Sequence, residues 1–393
     1  MSLTAARPHS VIRERIDRYL PDMIAIRHDL HTHPEIGFGE HRTSALVADL
    51  LTEWGYEVHR HVGVTGVVGT LRRGAGTASI GIRADMDALP IEEATALSYA
   101  STTPGTMHAC GHDGHTATLL TAARYLAEYG SFNGTLHVIF QPAEENLGGA
   151  NRMIEDGLFS RFPCDAVFGL HNMPGIPTGK LCFLEGPAMA SCDTAIIRLE
   201  GKGGHGAAPH LAADPIVAAA SLVMALQTVV SRNVAPLEAA VVTVGSIRGG
   251  NTSNVIPDQV VLEVTVRAFT NEVRDLLEQR ITALTRAQTE SLGVHAHIDY
   301  ERGYPVLVNH RPQTRLARQI AEAVYDTSAI VDDYPPSAAS EDFANMLEHV
   351  PGCYLFVGNG DSASLHNPRY DFNDSIIPIA AEYWVALTEQ MLA

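Results

Sequence analysis

Residues 193–231, DTAIIRLEGKGGHGAAPHLAADPIVAAASLVMALQTVVS, begin as an alternating β-branched run, pass through a glycine-rich loop and end in a long apolar helical pattern. The chain then continues with strands AAVVTVGSI (239–247) and QVVLEVTVRAF (259–269), helix EVRDLLEQRITALTRAQTE (272–290) and strand VHAHIDYE (294–301). This order is β-α-β-β-α-β, the split arrangement of ferredoxin-like domains. Six such elements can close a small α+β core by themselves.

Either side of this block reads differently. Upstream, helical periodicity at Val11–Leu30 and Arg42–Trp54 alternates with the short runs GVVGTL (66–71) and SIGIRADMD (79–87). Helix HTATLLTAARYLAEYG (115–130) follows, and GTLHVIFQPAEEN (134–146) and DAVFGLHNMP (165–174) read as buried strands running into polar loops. Downstream come helical patterns QTRLARQIAEAVYD (313–326) and SEDFANMLEHV (340–350), strand CYLFVGNG (353–360) and a last apolar helix. At 393 residues the chain exceeds what one core usually holds. An α/β fold is expected, with a discontinuous larger domain (1–185 and 304–393) built on a mixed central sheet flanked by helices and interrupted by the ferredoxin-like insertion at 186–303.

Forty-five acidic residues against 27 basic ones give a net charge of −18, which disfavours nucleic acid and anionic membranes as partners. The first 20 residues hold no apolar run of signal-peptide length, and no later stretch reads as about 20 uncharged apolar residues. Five cysteines are too few, too widely spaced and odd in number for a secreted disulfide framework. The expectation is a soluble, cytoplasmic protein with reduced thiols.

Donors suited to metal ions sit in four segments, mostly beyond strand ends, where open α/β sheets bind ligands. They are Cys110 and His112 in HACGHDGH, Glu144 and Glu145 in QPAEENLGG, His171 in GLHN, and His366 in SLHNPRYDFND. A single histidine at a strand end is usually only hydrogen-bonded, and paired glutamates are usually solvated, but four such segments in one chain point to a metal site. Cys110 has a rival reading as a nucleophile activated by His108 or His112, which would need neither the glutamate pair nor the later histidines.

MHACGHDGH, QPAEE, GLHN and LHNPRYDFND resemble the amidohydrolase group of hippurate hydrolases, N-acyl-L-amino-acid amidohydrolases and indole-3-acetyl-amino-acid hydrolases, within the dinuclear aminoacylase and carboxypeptidase superfamily. The resemblance spans essentially the whole chain. It implies two divalent ions per subunit, zinc or manganese with cobalt or nickel as alternatives, held by Cys110, His112, Glu145, His171 and His366, with Glu144 as general base. Two ions sharing one water would lower its pKa towards about 7 and polarise the scissile carbonyl. In the wider superfamily an HxD pattern occupies the position of Asp85 and Asp87. Here Asp85 replaces the ligating histidine, and Asp87 would support a ligand, since ligating histidines need a partner that fixes their tautomer. Asp113 and His115 would do the same or cap the following helix.

The resemblance also makes the insertion a lid and dimerisation domain, giving a homodimer. There His205, flanked by glycines, would stabilise the oxyanion in the partner subunit's site, while Asn254 and Arg267 hold the substrate carboxylate. Arg suits that task because its planar fork grips a carboxylate bidentately. The expected reaction is metal-dependent hydrolysis of N-acyl or N-aroyl amino acids, with domain closure around the substrate. A dipeptidase or an N-acetyl-diaminopimelate-type deacetylase is the alternative. A non-catalytic binding protein is the third reading, disfavoured because metal binding alone needs no spare glutamate.

Overall fold

Four strands apolar along both faces organise the larger part of the protein: Gly134–Gln141, Ser79–Asp85, Ala166–Pro174 and Gly352–Gly360, the last buried along its whole length. Such double burial is the mark of parallel strands covered by helices on both sides. In the computed structural model, which describes residues 9–145 and 147–393, these strands are mutually parallel neighbours in the order just given. Antiparallel strands Gly66–Arg73 and Glu57–Val62 extend one edge, and the short strands Leu181–Cys182 and Ile330–Val331 extend the other, so the sheet is mixed. Helix His112–Tyr129 is buried along most of its length and packs against helices Ile377–Met391 and Leu20–Thr32.

The chain divides into two units, each with its own apolar core. The first comprises residues up to Gly186, Val308–Pro335 and Asn345–Ala393. The second comprises Pro187–Leu307 and Pro336–Ala344. The distant segment belongs to the second unit because the Ala190 amide donates to the Ser337 and Ala339 carbonyls (3.1 and 3.0 Å) and the Ser337 amide to the Ala188 carbonyl (2.9 Å).

In the second unit, strands Ala240–Gly249, Gln259–Ala268, Asp193–Glu200 and His295–Arg302 form an antiparallel sheet in that order. Alternate residues such as Ala195, Ile197, Leu199, Val264 and Val266 point inward onto helices Pro215–Asn233 and Asn271–Glu290. Buried Arg274 forks onto Asp193 (Nε to Oδ2 3.0 Å, Nη2 to Oδ1 2.5 Å), tying the second helix to the start of a central strand.

Three expectations need correcting. Val11–Leu30 is not one helix but two, His9–Asp17 and Leu20–Thr32, because Pro21 fits the first turn of a new helix and not the middle of an old one. The helix expected over 340–350 is only Phe343–His349, with the Glu341 carboxylate accepting the Phe343 amide at 2.9 Å ahead of it. Pro215–Asn233, 19 residues with mean hydropathy 1.5, is long and apolar enough by composition to cross a membrane, contrary to the expectation of no such stretch. Its apolarity has a local cause: Ala218, Ala219, Leu222, Leu226 and Val229 fill the small core.

Candidate metal centre

The C-terminal ends of the four parallel strands share one edge of the large sheet, and the donor segments lie in or just beyond them. Asp85 ends one strand, Pro142–Glu145 follows the next, His171 lies within the third, and the segment carrying His366 follows the fourth. Cys110 and His112 lie at the start of helix His112–Tyr129, separated by Gly111, whose left-handed φ of 99° sets the turn. A Cβ on Gly111 would come within 2.3 Å of Asn172 Oδ1 and 2.6 Å of the Tyr370 hydroxyl, so the position accepts no side chain.

Four overlapping groups result, each with ligand atoms within 4.8 Å of one another: Cys110 with His112 and His171, Cys110 with Glu145 and His366, His112 with Glu144 and Glu145, and Asp85 with His112 and His115. All six sequence-expected donors of the large unit are therefore brought together. Cys110 Sγ is 3.2 Å from His171 Nε2, and His366 Nε2 is 3.2 Å from Glu145 Oε1. His366 is exposed and has a left-handed backbone, φ 61°, pinned by its amide on the Ala109 carbonyl at 2.8 Å.

Hydrogen bonds leave the donor atoms of both buried histidines facing inward. The Asp87 carbonyl and carboxylate lie 2.9 and 3.2 Å from His112 Nδ1, so that nitrogen carries the proton, and His112 Nε2 is buried without a hydrogen-bond partner. His171 Nδ1 donates to the Asn172 carbonyl at 2.6 Å, leaving Nε2 as a lone-pair donor. Asp87 Oδ2 also accepts the Glu145 amide at 2.9 Å. One aspartate thus supports an imidazole ring and the backbone of a glutamate 58 residues away.

Asp85 has a different job. Its oxygens take Arg83 Nη1 and His115 Nδ1, both at 2.6 Å, and His115 Nε2 in turn contacts Asn172 Oδ1 at 2.7 Å. Asn172 Nδ2 bonds the Tyr370 hydroxyl, closing a buried polar network behind His171. Asp113 faces away from the donors, towards His31 Nδ1 at 2.9 Å and Arg27 Nη1 at 3.5 Å.

The cluster suits a cation. Burial, reinforced by the carboxylates of Glu145, Glu144 and Asp85, pushes the Cys110 thiol well above its usual range. Burial alone would lower His112, yet the Asp85 and Asp87 carboxylates raise it to about 10. Burial, aided by His115, holds His171 well below its ordinary value and therefore neutral. Excess negative donors around an imidazole nitrogen that makes no hydrogen bond and has Asp85 Oδ2 at 3.7 Å are what a divalent ion would neutralise, and thiolate, imidazole and carboxylate together suit zinc-like transition metals.

The remaining expected residues belong to the second unit. His205 is exposed on the short strand Gly204–His205, which pairs with Val255–Ile256; its Nδ1 accepts the Ala207 amide at 3.0 Å. Asn254 lies beside it, the Gly206 amide donating to its carbonyl at 2.8 Å. Arg267, on Gln259–Ala268, donates to Thr265 Oγ1 and the Val266 carbonyl at 2.6 and 3.0 Å. Sequence reasoning missed Arg83, Asn172 and Tyr370, each inside a stretch already singled out, and Glu40, which nothing in its local pattern distinguishes.

The model of peptidase family M20/M25/M40 matches residues 81–390. The hippurate hydrolase of Campylobacter jejuni is 45% identical over 367 residues, 93% of this chain and 96% of that protein. The N-acetyl-L-cysteine deacetylase of Bacillus subtilis is 44% identical over 364 residues, 92% of this chain and 86% of that one. Among solved structures, the Bacillus subtilis YxeP protein, a dinuclear metal-binding M20 peptidase, superposes with a TM-score of 0.84 at 32% identity, covering 96% of this chain and 99% of that chain.

Proposed function

We propose, for a chain that belongs to peptidase family M20/M25/M40 and is a metallo-amidohydrolase, that its substrates are N-acyl or N-aroyl amino acids, cleaved to a carboxylic acid and a free amino acid. The observation that carries this reading is the gathering of six donors from four segments into overlapping groups that share Cys110, Glu145 and His112, with His112 Nε2 buried and without a hydrogen bond. The names of the two relatives, both hydrolases of such amides, support the substrate class.

In this reading Cys110, His112, Glu145, His171 and His366 hold two divalent ions, zinc or manganese. When bound, such ions polarise an amide carbonyl and make water a nucleophile near neutral pH. Glu144 takes the proton from water as the new carbon–oxygen bond forms, then delivers it to the amine nitrogen as the carbon–nitrogen bond breaks. Asp87 fixes the His112 tautomer that exposes Nε2. Arg267 and Asn254 grip the substrate carboxylate, and His205 steadies the carbonyl oxygen in the partner subunit's site. The second unit supplies the dimer contact, where edge strand Ala240–Gly249 and exposed Ile216, Val217 and Met224 offer a surface. The five free cysteines agree with a cytoplasmic setting.

The Cys110–His171 distance of 3.2 Å favours a second reading, a cysteine–histidine dyad. Its electrostatics are wrong for that role, because an activated thiol needs positive neighbours that lower its pKa, whereas three carboxylates raise this one. A panel of hippurate, N-acetylcysteine, an indole-3-acetyl amino acid, their carboxyl-methyl esters and unblocked dipeptides tests the substrate class by ninhydrin detection. Release from the free acids, at least about tenfold faster than from the esters, is expected from loss of a charge-assisted clamp. Dipeptides turned over as fast as the acylated compounds would contradict the reading.

A further inference from the structure

We infer that Glu40 is a positioning residue for the glutamate pair: by holding the Ala143 amide it fixes the turn that presents Glu144 and Glu145 to the same side. The inference rests on the roles proposed above for those two glutamates.

Adjacent residues in extended backbone point to opposite faces. Glu144 and Glu145 nevertheless both bring a carboxylate oxygen to within 4.8 Å of a His112 ring nitrogen. The preceding residue makes this possible. Ala143 has φ 54°, a left-handed conformation that a residue with a Cβ adopts only when its surroundings impose it.

Those surroundings are specific. Glu40 is fully buried just before helix His41–Glu53; its Oε1 accepts the Ala143 amide at 2.8 Å, and its Oε2 accepts the Thr65 hydroxyl at 2.5 Å. The Ala143 carbonyl accepts the Gly149 amide at 3.0 Å, and the Glu145 amide is held by Asp87. Glycines let the neighbours close in. A Cβ on Gly149 would sit 1.7 Å from the Pro142 carbonyl oxygen, and one on Gly37 would sit 3.0 Å from Ala143 Cα. Of these restraints, Glu40 is the one that meets Ala143 itself through a side chain, so a substitution there releases the Ala143 amide while leaving Asp87 on Glu145. Burial, with Asp87 nearby, also lifts its carboxyl to about 7, despite the hydrogen bonds from Thr65 and Ala143. A neutral carboxyl still accepts the Ala143 amide, and so does the amide oxygen of glutamine.

The test compares Glu40→Leu with Glu40→Gln, reading manganese and zinc affinity of the metal-free protein by calorimetry and kcat and KM of the reloaded enzyme on hippurate. Glu40→Leu is expected to weaken one of the two ions by about tenfold or more and to lower kcat by a similar factor, with KM within about threefold. Glu40→Gln is expected to restore both to within about threefold, which a purely charge-based or bulk-stability role would not produce. Wild-type affinity and kcat in Glu40→Leu, or equal losses in both variants, would overturn the inference. Should Glu40→Leu fail to fold, Glu40→Asp draws the carboxyl back by one methylene; reduced affinity for one ion supports the clamp and wild-type behaviour contradicts it. Glu145→Gln serves as the control: if it still binds two ions at wild-type strength, the ligand reading itself fails, whatever Glu40 does.

Discussion

Replacing Asp87 by alanine removes one carboxylate that serves two ligands, and its cost can be worked out from the contacts. His112 Nδ1 keeps an acceptor, because the Asp87 carbonyl at 2.9 Å survives the substitution while the carboxylate at 3.2 Å does not. The ring therefore retains its tautomer and loses only part of its restraint, which puts this side near the lower end of the 10- to 100-fold range typical of such partners, about 1.4 kcal/mol. The Glu145 amide fares worse, since Asp87 Oδ2 at 2.9 Å is the acceptor that goes. Leaving a mostly buried donor unsatisfied costs about 1–3 kcal/mol, and rotating the peptide to find water moves the Glu145 carboxylate with it. The expected sum, about 2.4–4.4 kcal/mol, is a loss of about 50- to 2,000-fold in the weaker of the two metal affinities, with the other changed by less than about threefold. Calorimetric titration of metal-free Asp87→Ala with zinc measures this directly, and Asp87→Asn, which keeps one acceptor oxygen, should fall between variant and parent. Two wild-type affinities in Asp87→Ala would refute the reasoning, as would a uniform loss at both positions.

Glu144→Gln should lower kcat by about 10²–10⁴-fold while both ions stay bound, because a positioned base is lost and no ligand is; metal content with stopped-assay kinetics decides, and near-normal turnover would remove Glu144 from the base role. Loading the metal-free protein at pH 7 should release protons from Cys110, which burial and carboxylates keep as a thiol, and from His112, raised to about 10, so affinity falls as pH falls. Calorimetry in buffers of differing ionisation enthalpy reads that number, and binding without proton release would contradict it. Burial opposes charge on buried His31, yet Asp113 and Glu93 raise it from 6.5 to about 9, so its contribution to stability is complete below pH 6.5 and is lost as pH rises through 9. Urea midpoints of parent and His31→Asn at pH 6.5 and 9 should converge as pH rises; a constant gap would refute the coupling. Gly111→Ala, which drives a methyl into Asn172 and Tyr370, should destabilise the protein by about 2 kcal/mol or more and weaken metal binding together; an unchanged melting temperature would mean that the turn is looser than the contacts imply.

Legibility in the sequence followed how local each signal was. The buried strand Ala166–Pro174 and the alternating strands of the second unit announce themselves within ten residues, because burial on two faces or one leaves opposite apolar patterns. Three donor segments were legible as strands running into Glu or His or a loop that carries them, and the fourth as a Cys-x-His pair ahead of a helix. Their grouping was not, since nothing local relates Cys110 to His171 across 61 positions. Glu40 marks the limit most clearly: before His41–Glu53 it reads as an ordinary residue at a helix start, and its partner Ala143 lies 103 positions away. Tyr370 and Asn172, 198 apart, pose the same problem, as does Arg83, whose short-range look of a strand charge hides a buried bond to Gln141 at 2.8 Å. The break near Arg18 was masked because Ile12, Ile16, Tyr19 and Met23 keep a helical spacing through it, each buried in the same core.

The central claim is that five ligands and a base, from three strand ends and one helix start, form a two-ion centre that hydrolyses acyl amino acids. Metal content per chain, measured by mass spectrometry on chelator-stripped and then reloaded protein, with glycine release from hippurate followed in the same samples, tests it most directly. The account predicts activity that vanishes on stripping and returns as bound metal approaches two ions per chain. Full hydrolysis by metal-free protein, or restoration complete at a single ion, would contradict it.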